Sequence, residues 1–256
     1  MRKSWFHFIG ACLVLLNTFA QFAQGQFAQD QGSGDLVIEG GTLIDGNGGQ
    51  PVRDSLIIIR GNKIETVSRK GQSALPPGTQ ILRADGKFIL PGLMDANVHY
   101  QWWMPELMLT HGVTSIFDIG GSGQWGLAQR EAIARGKVPG PRMFMAVQGV
   151  NAAWPGLKLV GADGPMTVEK ARQIVRSNVR EGANLFRLGR GLSPEVFRAA
   201  VEEAHKAGLP VVAQPIGPEV YGKEAVLAGV NILEHAAGIN ISIAKDPSKW
   251  KGWGED

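Results

Sequence analysis

From Pro91 onward the chain repeats one pattern: a strand-length apolar run, a loop, then an amphipathic helix. That repetition restricts the fold more than any other feature. Strands are predicted near residues 93–99, 114–119, 142–147, 185–188, 210–214 and 231–235, and helices at 127–135, 168–180, 194–207 and 219–228. Ser193-Pro194-Glu195 supplies an N-cap, a first-turn proline and a carboxylate at the positive end of the helix dipole, and Gly208 follows as a stop. Strand–helix alternation implies a parallel sheet, because a crossover helix returns the chain to begin the next strand in the same direction. Six units in succession, with no Gly-x-Gly-x-x-Gly after any strand, favour a (β/α) TIM-type barrel over a doubly wound sheet. A closed barrel of this kind has about eight units. A six-stranded sheet leaves two unpaired edges, so residues 91–256 read as an incomplete barrel, about six units of eight.

Residues 36–90 have a different rhythm. Short runs at 36–38, 42–44, 55–60, 63–67 and 87–90 are separated by Asp45-Gly46-Asn47-Gly48-Gly49, Gly61-Asn62 and Pro76-Pro77-Gly78. This punctuation predicts a small β-sandwich domain, and nothing in it suggests chemistry. At the start, Arg2-Lys3 precede an apolar run at about 5–20, followed by Ala23 and Gly25. The pattern is that of a secretory signal peptide over 1–25, with a linker over 26–35. The apolar run is too short to span a bilayer, so no stable membrane span is expected. Ile9-Gly10-Ala11-Cys12 has the composition of a lipoprotein box but lies inside the apolar run, so simple export to the periplasm or the exterior is the expectation. Cleavage would remove Cys12, the only cysteine, which excludes a disulfide or a thiol nucleophile from the mature chain. It would also remove Arg2 and Lys3 and no acidic residue, taking the formal charge from +3 to +1. The basic balance of the whole chain is therefore no argument for nucleic acid or an acidic membrane as partner.

Catalytic groups of a barrel lie at the C-terminal ends of its strands. The polar residues predicted there are Asp95, Asn97 and His99, then Asp118, Arg187, Gln214, and Glu234 with His235. Singly, each has a bland explanation: Asp118 as the anchor of the Gly-rich loop that follows, Glu234 as a partner for Arg187. Together they fall one group per strand end, which packing alone does not require. Trp102, Trp103, Trp125, Trp154, Trp250 and Trp253 lie on loops of the same side. Either they line a pocket for an apolar or ring-bearing small molecule, or they pack the loops themselves.

The segment Leu90-Pro91-Gly92-Leu93-Met94-Asp95-Ala96-Asn97-Val98-His99 resembles the first barrel strand of the amidohydrolase superfamily. His111-Gly112-Val113-Thr114-Ser115, Gly140-Pro141-Arg142, Gly182-Ala183-Asn184-Leu185-Phe186-Arg187 and Gly229-Val230-Asn231-Ile232-Leu233-Glu234-His235 resemble its imidazolonepropionase-like and Xaa-Pro-dipeptidase-like branch. The resemblance covers residues 36–238 and implies a hydrolase of amide, dipeptide-like or cyclic C–N bonds with a binuclear divalent-metal site, zinc by expectation. It further implies two histidine ligands on the first strand, a carboxylated lysine on the fourth, histidines on the fifth and sixth, and an aspartate on the eighth. The matching positions here are Asn97 and His99, then Arg187, Gln214 and His235, so His99 and His235 are the residual metal ligands. Arginine stays protonated and cannot form the bridging carbamate, and amide oxygens are poor zinc ligands beside imidazole. Ordinary metal-hydroxide hydrolysis is therefore expected to be lost. Asp118, Glu234, Trp102, Trp103 and Trp154 are the candidate substrate-pocket residues. The alternatives are a metal-free, small-molecule-binding pseudoenzyme in which the Arg187 fork holds a carboxylate, or an inactive fragment.

Overall fold

The computed structural model describes residues 35–150, 166–217, 219–244 and 246. The expected signal peptide, nearly all of the expected linker, and Trp154, Trp250 and Trp253 lie outside the described residues. The chain divides into two compact units, with the break between Pro91 and Gly92.

In the first unit, strands β1 (Leu36–Glu39), β3 (Ser55–Arg60), β4 (Lys63–Arg69) and β5 (Gln80–Arg83) form one sheet in the order β4-β3-β1-β5. A separate two-stranded parallel ladder joins β2 (Thr42–Leu43) to β6 (Phe88–Ile89). Val37 of β1 and Leu56 and Ile58 of β3 form a small buried cluster in the four-stranded sheet. Strand β5 has no counterpart in the sequence reading. All four of its residues are exposed, so it carries no apolar alternation, and its parallel pairing with β1 is what makes it a strand.

The second unit alternates strand and helix as expected. Its strands are β7 (Leu93–Val98), β8 (Val113–Asp118), β9 (Arg142–Met145), β10 (Phe186–Leu188), β11 (Val211–Ala213) and β12 (Ile232–Leu233). Its helices are α1 (Met104–Thr110), α2 (Gly123–Ala134), α3 (Val168–Arg180), α4 (Pro194–Lys206), α5 (Gly222–Leu227) and α6 (Ala237–Ile243). Every strand pair in this unit is parallel. The caps act as their residue types require: the hydroxyl of Ser193 accepts from Val196 N, and that of Thr167 from Lys170 N. Helix α4 turns Val196, Phe197, Ala200, Val201 and Ala204 onto Phe186, Leu188 and Val211, and α3 adds Ala171 and Val175 to the same core. On the other side of the strands, Ile119, Ala146, Leu185 and Val212 pack together, with Phe117 edge-on to Phe144 at 5.4 Å. Among the described residues no helix is long and apolar enough to cross a membrane.

The strands form two three-stranded sheets, β7-β8-β9 and β10-β11-β12, linked by a bridge between Val150 and Leu188, and no closed barrel is formed among the described residues. Asn178, buried on α3, sits at this junction. Its side-chain oxygen accepts from Val147 N at 3.0 Å and Gln148 N at 2.9 Å, while its amide donates to the Ile174 carbonyl. Those two amides, just beyond β9, are thus satisfied by a side chain and not by a strand ladder. Replacing Asn178 by alanine would leave both amides without an acceptor and should lower the free energy of unfolding by at least ~2 kcal/mol in urea titration. An unchanged midpoint would mean that Asn178 does not hold this junction.

Candidate functional site

Parallel registry collects the strand-end residues into two groups. Asp118 is level with Met145 at the end of β8, and Leu188 is level with Ala213 at the ends of β10 and β11. Gln214 and Glu234 prolong the second ladder by one residue each, through Gln214 N to Leu188 O at 2.9 Å and Glu234 N to Ala213 O at 2.8 Å.

The second sheet carries the ionic group. Arg187 on β10 meets Glu234 fork to fork: Nε donates to Oε1 at 3.1 Å and Nη2 to Oε2 at 3.3 Å. Nη2 also points at Gln214 Oε1, 3.5 Å away. The side chains are 15% and 2% exposed, so water screens the pair poorly. Glu234 thus occupies the Nε–Nη2 edge of the guanidinium, one of its two bidentate edges. His235 lies just beyond, half exposed, its Nε2 3.7 Å from Glu234 Oε2, which is too far for a hydrogen bond. His235 and Ala236 both have left-handed backbones, with φ of 60° and 54°. Two consecutive non-glycine residues there are uncommon, and together they swing the chain from β12 into α6.

The first sheet carries a recess of about 210 Å³ lined by His99, Tyr100, Gln101, Asp118, Gly120, Ser122 and Trp125. Asp118 is fully buried beneath it. Its Oδ1 accepts from Gly120 N at 3.0 Å and Tyr100 N at 3.3 Å, and Oδ2 accepts from the Ser122 hydroxyl. This carboxylate therefore ties the loop after β7 to the loop after β8. Gly120 must lack a side chain, because a Cβ there would sit 2.9 Å from His99 Cα and 3.0 Å from His99 Nδ1. Tyr100 packs against Trp125, ring centroids 5.4 Å apart. Its hydroxyl is buried without a hydrogen-bond partner among the described residues, and burial, with the charge of Asp118 adding, pushes the phenol above its usual range.

The recess thus joins His99 to Asp118 but does not include Asn97, whose amide donates to Asp95 Oδ1 at 3.1 Å. Trp102 is 76% exposed and, like Trp103, does not line the recess; Trp125 does, although all three stood among the loop tryptophans of the sequence. Tyr100, Gly120 and Ser122 were not anticipated. The one available signal was the Gly120-Gly121-Ser122 run directly after Asp118.

Among the described residues no group of three or more His, Cys, Asp or Glu side chains converges as a metal site. Asp118 accepts three hydrogen bonds from its own loops, and Arg187 on β10 is paired with Glu234. A guanidinium cannot form the bridging carbamate that the resemblance implies at that position.

No family model matches the chain. It is similar to an adenine deaminase of Paracoccus denitrificans (strain Pd 1222), 29% identical over 104 residues, which are 38% of this chain and 17% of that protein. It is also similar to an N-acyl-D-aspartate deacylase of Alcaligenes xylosoxydans xylosoxydans, 33% identical over 87 residues, 32% of this chain and 17% of that one. Among solved structures, a Bifidobacterium longum protein described as a prolidase superposes with a TM-score of 0.66 at 27% identity, over 78% of this chain and 54% of that chain. A Xaa-Pro dipeptidase with bound methionine in its active site gives 0.63 at 26% identity, over 78% and 61%. The chain thus spans less than two thirds of the length of each of these relatives.

Truncating one member of a buried ion pair strands the other charge. Glu234→Ala should lower the unfolding free energy by about 3–5 kcal/mol, and the double change Arg187→Met with Glu234→Leu should recover most of that loss. Equilibrium denaturation of the three proteins checks this; a loss below ~1 kcal/mol in Glu234→Ala would remove the pair from its structural role.

Proposed function

We propose a metal-free role for this chain, which belongs to the amidohydrolase superfamily, a group whose members matched here are hydrolases of C–N bonds. In this reading the protein binds a small molecule at the strand ends and does not carry out metal-hydroxide hydrolysis. The observation that carries it is the Arg187–Glu234 pair. A permanent cation sits where the resemblance puts a bridging carbamate, and its Nε–Nη2 edge is paired with a carboxylate of the same chain. The recess beside His99 and Trp125 is the place for the ligand, with a buried carboxylate below and an aromatic wall at one side. A second reading follows from the names of the relatives: a C–N hydrolase with a single metal on His99 and His235, completed by further ligands. In such an enzyme the metal would lower the pKa of a bound water; among the described strand-end acids, Asp118 and Glu234 already have partners within the chain.

Metal content separates the two. Full-length protein incubated with excess zinc and then dialysed should retain far less than one equivalent by elemental analysis. One equivalent, lost when His99→Ala and His235→Ala are combined, would sink the metal-free reading and establish the second.

Export belongs to the same proposal. Expressed with its own N-terminus in a secreting host, the protein should be recovered outside the cytoplasm with a new first residue at or near Gln26. N-terminal sequencing that finds the intact Met1–Arg2–Lys3 start would overturn it.

A further inference from the structure

We infer that the chain has a second ligand site, for an organic anion, at the end of the sheet opposite the strand-end residues. A cavity of about 510 Å³ lies there, lined by Arg130, Ile133, Ala134, Arg142, Phe144 and Asn184, with Glu131, Gly140 and Met143 completing it. Its place follows from register. Arg142 opens β9 level with Ser115, whereas Asp118 closes β8 level with Met145. Three residues of strand, about 10 Å, separate the two levels. The volume is in the range of ligand pockets rather than of packing gaps.

The charge at this end is one-sided. Residues 130–142 contain Arg130, Arg135, Lys137 and Arg142 against a single acid, Glu131. That acid is paired with Arg135 at 2.7 Å, and Arg142 has no carboxylate partner among the described residues. Arg130 is held in place: its Nη1 donates to the Gly182 carbonyl at 2.8 Å and to Asn184 Oδ1 at 2.9 Å. A guanidinium fixed by neutral acceptors keeps its full charge for a ligand and loses little entropy on binding one. The wall between the arginines is apolar and tightly made. A Cβ on Gly140 would stand 2.7 Å from Ile133 Cδ1, so the chain passes against that side chain with no slack. Two cations beside an apolar wall select a carboxylate or phosphate carried on a ring or short chain. Nothing here depends on Arg187, His99, His235 or a metal, so this inference and the function proposed above fail separately.

Isothermal titration of the full-length protein with phenyl phosphate, phenylacetate and benzyl alcohol tests it. At least one of the two anions should bind saturably at one site, and the stronger identifies the preferred head group; benzyl alcohol should not bind. Arg142→Gln removes a cation, and Ala134→Glu sets an acid on the exposed helical rim, where the fold tolerates it. Each should weaken the anion at least fivefold with an unchanged unfolding midpoint. Absence of saturable binding by both anions, equal binding of benzyl alcohol, or a smaller effect in either correctly folded variant would overturn the site.

Discussion

The contact between Arg187 and Glu234 is the interaction on which the strand-end region depends. Its members stand on β10 and just past β12, with Gln214 of the intervening strand beside them, so it forms only if all three strands keep the register of Leu188 with Ala213 and Ala213 with Leu233. A slip of one residue would turn alternate side chains to the other face and leave two desolvated charges apart. Such a pair adds little net stability compared with well-packed apolar residues, but it makes the wrong register expensive. It fixes one arrangement of short strands that their two- and three-residue ladders would specify weakly.

Asp118 plays the corresponding part in the other sheet, by backbone capture rather than by charge pairing. One oxygen gathers the amides of Tyr100 and Gly120 and the other takes the Ser122 hydroxyl, so two loops are drawn over the recess. Both strand-end acids are therefore satisfied from within the chain. The recess itself presents the imidazole of His99 and the Trp125 ring to a ligand.

How far the sequence foretold this differs by element. Helix α3 occupies 168–180 as expected, and α4 ends one residue early, because a capping hydroxyl and a continuous apolar stripe mark both. Helix α1 was hidden: Trp102-Trp103-Met104-Pro105 reads as a loop until the proline is seen in a first turn. Strand six shrinks from 231–235 to Ile232–Leu233, because His235 turns left-handed. The split in the sheet could not be read at all. Asn178 looks like one more polar residue on a helix surface, and only the placement of the Val147 and Gln148 amides shows why it is buried. The sequence left open whether Arg187 faces a ligand or Glu234. That choice turned on which edge of the guanidinium is filled, and geometry alone decides it.

Asn97 shows the limit of pattern most clearly. Reading 97 and 99 as a pair assumes that alternate residues of a strand share a face. Between Asp95 and Val98 the first strand takes three steps while β8 takes two, from Ile116 to Asp118, so the ladder is bulged at that point. The Asn97 amide leaves the ladder for Asp95 Oδ1, and the alternation on which the pairing rests is interrupted one residue before Val98. A histidine at 97 on this backbone would therefore not recreate a gripping pair with His99 by identity alone; the bulge would have to present both rings to one point. Residue types at a motif's positions state what chemistry is available, whereas the local ladder states whether they can be brought together.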